Sequence, residues 1–111
     1  MGGRVLLAML PLLFWGVVNA ADNRVTVEPG QAYFMYHCET CHLPNGTGTK
    51  LLARRVGADK SLLVRRTDLV GDYVRAVVRN GVGGMPWFTR VEVTDAELEE
   101  IVNYLTRNNP R

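Results

Sequence analysis

The chain has 111 residues, 13 of them basic and 11 acidic, for a formal net charge of +2. That length holds one small domain, and the near balance, with no continuous run of like charge, excludes the basic footprint of a nucleic-acid binder. A domain this small buries a modest fraction of its surface, so a staple or a cofactor is expected to complete its core.

Residues 1–20 read as a signal peptide. Arg4 precedes an apolar run from Val5 to Val18, and Val18-Asn19-Ala20 gives the small-x-small pattern of a cleavage site after Ala20. The alternative is a membrane anchor. The run is shorter than the roughly 20 residues of a spanning helix, and Pro11 interrupts it. The expectation is therefore export to the periplasm, a single domain over 21–111, and no stable membrane insertion after cleavage. Without Arg4, 12 basic residues face 11 acidic ones, unevenly placed. Lys50 to Arg90 carries nine basic residues against Asp59, Asp68 and Asp72, whereas the chain from Val91 has five acidic and two basic residues.

The helical signals come in chain order. A first helix starts near Glu28-Pro29, where proline suits the first turn, and is expected to run through "GQAYFMYHCETC" with Gly30, Phe34 and Cys38 on one face. Met35, Tyr33 and Tyr36 are read as packing, and His37 as a partly exposed helix residue. Leu51 to Arg66 is ambiguous, with a short helix over "KSLLVRR" capped by Asp59 as one reading. A middle helix covers Gly71 to Asn80, with Val70, Val74, Val77 and Val78 as its apolar face and Gly81 as a left-handed cap. The last helix has a capping box, Thr94 with Glu97, then a stripe of Leu98, Ile101, Val102 and Leu105. Arg107 sits at its C-terminal end, and Asn108, Asn109 and Pro110 stop it. No two strand-like runs pair, so the class is all-α.

The only two cysteines of the chain stand in "CETCH", Cys38 to His42. Within one helical turn, residues i, i+3 and i+4 point to one side, so Cys38, Cys41 and His42 can meet one flat ligand. This spacing is the signature of covalent haem attachment: two thioethers from the cysteines and a ring nitrogen of His42 to the iron. Three other readings compete. Zinc lacks a fourth ligand. A thioredoxin-like pair belongs at a helix start within a βαβ unit. An exported chain also permits a plain disulfide. "NGVGGMPWF" adds Met85 in a glycine-rich loop stiffened by Pro86, and its thioether completes a Met/His ligand pair for haem iron. Smaller candidates are Arg54 and Arg55 toward the haem propionates and Trp87 at the haem edge. For all three, an ordinary surface or packing role is the competing reading.

These residues resemble a class I c-type cytochrome over nearly all of residues 21–111. Gly30-x-x-x-Phe34-x-x-x-Cys38 is similar to that family's first-helix pattern, in which the small residue and the aromatic pack against the last helix, here Tyr104 and Leu105. "VRNGVGGMPWF" with "VTDAELEEIVNYL" resembles a narrower group, the small cytochrome subunits or partners of bacterial flavin-dependent dehydrogenases such as p-cresol methylhydroxylase. The resemblance implies a cytochrome c fold of three to five helices around one covalent haem c. It implies Cys38, Cys41, His42 and Met85 as haem-binding residues, and His42 and Met85 as ligands of the iron. It also implies an electron carrier rather than an enzyme, with no catalytic residues. The expected donor is a flavin-dependent dehydrogenase, and the expected acceptor a downstream cytochrome, copper protein or oxidase. The alternatives are a free shuttle to a terminal oxidase or other respiratory component, and a haem sensor or peroxidase with an open iron position. In many family members a Gly-Pro carbonyl holds the other N–H of the haem histidine. Here Thr49 stands in place of the proline, and a carbonyl near it is expected to take that part.

Overall fold

The computed structural model describes residues 1–2 and 26–111. The signal peptide expected over residues 1–20, apart from its first two residues, and the domain start expected at residue 21 lie outside the described residues. Among the described residues there are five α-helices and no strand: α1 (Pro29–His37), α2 (Glu39–His42), α3 (Thr47–Val56), α4 (Gly71–Asn80) and α5 (Asp95–Thr106). Two 3₁₀ turns, Ala58–Lys60 and Leu63–Arg65, link α3 to α4. No helix among them is long and apolar enough to cross a membrane. The all-α expectation holds.

The core forms where α1 and α4 meet α5. Leu98, Ile101, Val102 and Leu105 are all buried, and Phe34, Leu69, Val74, Val78 and Val93 close around them. The stripe read from the sequence is thus the centre of the fold. The start of α5 is fixed as its capping box requires. Thr94 Oγ1 accepts the Glu97 N–H at 3.2 Å, and Glu97 Oε2 accepts the Thr94 N–H at 2.8 Å. Its C-terminal end is tied to the α3–α4 connection. Arg107 donates to the Val64 carbonyl at 3.2 Å, Asn108 Nδ2 to the same carbonyl at 3.0 Å, and Asn109 Nδ2 to Leu69 O at 2.7 Å. The helix-stopping asparagines therefore also hold the connection in place.

The crossing of α1 and α5 depends on Gly30. A Cβ there would lie 2.7 Å from Tyr104 Cβ and 2.8 Å from the Glu100 carbonyl carbon. Only a residue without a side chain permits that approach, which brings Phe34 against Tyr104 with ring centroids 5.9 Å apart. Gly30→Ala is expected to destabilise the folded protein by about 3 kcal/mol, because a backbone carbonyl cannot rotate away from the added methyl. Denaturant unfolding of the holoprotein measures this, and an unchanged midpoint would count against the close crossing.

Several local expectations are corrected. The first helix does not run unbroken to Cys41. It ends at His37, and Cys38 leaves the helical region at φ −121°. Val70 is 63% exposed, because it caps α4 instead of belonging to its apolar face. Asp59 lies inside a 3₁₀ turn whose cap is Gly57. Met35 is 46% exposed, with Gln31 Nε2 4.0 Å from its sulfur, and Tyr36 is 84% exposed, so neither is a core residue. The ambiguous stretch resolves into α3, which starts four residues before Leu51, followed by the two 3₁₀ turns. Gly81 has the expected positive φ, 70°, but its ψ of 170° is extended, not left-handed helical.

Candidate functional site

Cys38 organises the motif through its backbone. Its N–H closes α1 on Phe34 O at 2.9 Å, and its own carbonyl accepts from Cys41 N at 3.2 Å and His42 N at 3.1 Å. The chain breaks at Cys38 and begins a fresh turn there, so Cys38, Cys41 and His42 still belong to one turn. Both cysteines are free thiols, not a disulfide. Cys38 packs against the core while Cys41 is exposed. Burial, and secondarily the neighbouring Cys41, pushes the Cys38 thiol up to about 11. Among the described residues no three His, Cys, Asp or Glu side chains converge as metal ligands, which disfavours the zinc reading.

His42 is half-buried, and burial lowers its imidazole from the ordinary value. The ring is therefore neutral at pH 7, with a lone pair to offer. Its Nδ1 is buried without a hydrogen-bond partner. The expected carbonyl near Thr49 does not reach it. Thr49 is itself buried, and its hydroxyl is committed to the Leu43 carbonyl at 2.9 Å. That bond fastens α3 to the end of the motif. Gly48, at the start of α3, lies against it directly, since a Cβ there would stand 3.1 Å from His42 Cε1 and 2.9 Å from Cys41 O.

Met85 is partly buried and packs on the same core as Cys38. Its loop is a miniature hairpin. Val82 N donates to Met85 O at 3.1 Å and Met85 N to Val82 O at 2.9 Å. Gly83, at φ 54°, makes the turn, and Gly81 lets the Met85 carbonyl approach, since a Cβ there would be 2.8 Å from it. Both ends of the loop hang on the last turn of α4, Gly81 N on Val77 O and Phe88 N on Val78 O, each at 2.8 Å. α3 spans the distance between the two halves of the site. One turn after Gly48, its Leu51 reaches the methionine loop, where a Cβ on Gly84 would be 3.3 Å from Leu51 Cδ1. Helix propensity did not announce α3, so this bridge was not foreseen.

Trp87 is 61% exposed, which rules out a core role. Arg54 and Arg55 are exposed at the end of α3. His37 is less open than expected. Its side chain is 11% exposed, with Nε2 3.8 Å from Glu97 Oε1.

Two free thiols, a neutral imidazole and a thioether on the same core are donor types that fit a covalently held haem. A family model described as "Cytochrome C oxidase, cbb3-type, subunit III" matches residues 25–105, a span that contains all four of these side chains. No curated protein and no solved structure matches the chain.

Proposed function

The chain belongs to this family of c-type cytochrome domains with covalent haem c, and from that premise we propose a periplasmic electron carrier, ligated by His42 and Met85, that serves a flavin-dependent dehydrogenase. The observation that carries the ligand assignment is the placement of α3, with Gly48 against His42 and Leu51 against the methionine loop. Cys38 and Cys41 hold the haem through two thioethers, and bound haem supplies a one-electron couple at its iron. The chain's own part would be to hold that group, to offer the His42 imidazole and the Met85 thioether to its iron, and to keep water away with the core around Phe34 and Val78. His42 and Met85 would both be ligands of the bound iron, and no catalytic residue is assigned.

The charge distribution supports an acidic docking partner. Lys60 and Arg66 share Asp68, Arg79 and Arg90 share Asp95, and Arg75 pairs with Asp72 and Glu99. Among the described residues Lys50, Arg54 and Arg55 make no ion pair, and all three lie on α3, the helix that touches the methionine loop. Unpaired cations beside the redox group steer an acidic partner surface to it. A second reading, electron delivery to or within a terminal oxidase, is favoured by the description of the matching family.

One purification separates the two readings. The tagged protein is isolated gently from its native host, and the visible spectrum is followed through gel filtration. Haem and flavin bands in fixed ratio are the expected result for a dehydrogenase partner. Haem bands eluting without flavin would sink that reading and favour the oxidase one.

A further inference from the structure

Arg79 is the one arginine of α4 whose bonds point toward the methionine loop. Its side chain is 17% exposed. Nη1 donates to three carbonyls at and beyond the end of the loop, Val93 at 2.9 Å and Phe88 and Thr89 at 3.3 Å each, while Nη2 binds Asp95 Oδ1 at 2.7 Å. Arg90 holds the other oxygen of Asp95 at 2.9 Å. One guanidinium therefore ties the last turn of α4, the exit of the methionine loop and the first residue of α5 together. Charge-assisted bonds of this kind are stronger than neutral ones, and only a rigid planar fork serves several acceptors at once.

From this geometry we infer that Arg79 is a positioning residue for the iron-ligating sulfur: it clamps the exit of the Val82–Phe88 loop and thereby sets how often Met85 leaves the haem. The inference rests on the assignment of Met85 as ligand. The entrance of the loop needs no such clamp, because Gly81 continues the hydrogen bonding of α4 directly. At the exit Phe88 N binds Val78 O, and Thr89 is held locally by Val93 N and Glu92 Oε2; Arg79 is the side chain that ties this segment back to α4 and across to Asp95. Its role is distinct from that of Arg75, one turn earlier. Arg75 binds Glu99 through Nε and Nη2 at 2.7 and 2.6 Å and joins α4 to α5, and none of its hydrogen bonds reaches the loop.

The test uses imidazole binding to the ferric holoprotein. Imidazole binds only the fraction in which the sulfur has left the iron, so its apparent affinity reports loop opening. The variants are Arg79→Met, Arg79→Lys and Arg75→Met. Arg79→Met is expected to bind imidazole about tenfold more tightly than wild type, the consequence of losing one charge-assisted tether. Arg79→Lys, which keeps the charge and loses the fork, is expected to fall between. Arg75→Met is expected to lower the unfolding midpoint and leave imidazole affinity at the wild-type value. The idea is overturned if Arg79→Met matches wild type, or if Arg75→Met shifts affinity as much. The methionine-to-ferric-iron charge-transfer band of the wild type is recorded first. Its absence would overturn the ligand assignment itself, and the inference with it, before any variant is compared.

Discussion

Replacing both Cys38 and Cys41 by alanine is expected to leave no haem bound after denaturation, where the wild type retains all of it. Nothing weaker than a covalent bond survives unfolding of the chain, so haem staining of a denaturing gel reads the thioethers alone. The structure gives the two thiols unequal surroundings. Cys41 is exposed, whereas Cys38 sits on the core with its thiol held up at about 11 by burial and by Cys41. Either single replacement is expected to keep the haem through the remaining bond. Cys38→Ala also removes packing on the Phe34 side of the core and lowers stability by roughly 1 kcal/mol. Full haem retention in the double variant would refute attachment at this motif.

Met85→Ala is expected to convert a haem that excludes carbon monoxide into one that binds it readily. The hairpin of Val82 with Met85, braced by Gly81 and Gly83, presents one thioether at a set place, and alanine puts nothing there. The reduction potential is also expected to fall, since Met/His ligation raises it. The cost in stability lies near the low end of the roughly 2–5 kcal/mol for truncating a buried methionine, because Met85 is only partly buried. Carbon monoxide difference spectra of the ferrous protein measure the first effect and potentiometry the second. A wild type that already binds the gas as well as the variant would remove Met85 from the ligand set.

Both results bear on how the domain divides its work. α1 and α5 form a crossing that Gly30 makes close and Phe34 and Tyr104 fill. The Cys-His turn grows from the end of α1, and the methionine loop from the end of α4. Each half of the site thus starts at the end of a helix that packs on α5. Arg79 and the backbone bonds to Val77 and Val78 keep the second half in register with the first.

Much of this was legible in the chain itself, wherever the signal is local. The Thr94–Glu97 box and the stripe from Leu98 to Leu105 define α5, because capping and helical periodicity involve residues within one or two turns of each other. The end of α4 follows from Asn80-Gly81, and its buried face from Val74 and Val78. The spacing of Cys38, Cys41 and His42 identifies their chemistry, because three side chains on one turn need no tertiary contact to converge. Only the tertiary structure decided the rest. α3 begins with Thr47-Gly48-Thr49, poor helix formers whose propensity argues against the helix they start. It forms because Thr49 binds Leu43 and Gly48 fits against His42, contacts between neighbouring elements that propensity does not register. The break at Cys38 is a departure of its backbone to φ −121°, after which its carbonyl starts the next turn. Nine basic residues look alike along the middle of the sequence. Packing pairs five of them with carboxylates, gives Arg79 the carbonyls of Phe88, Thr89 and Val93, and leaves Arg65 and the three on α3 without an ion pair among the described residues. Charge and spacing are properties of a chain, but which acceptors surround a guanidinium depends on where distant segments meet.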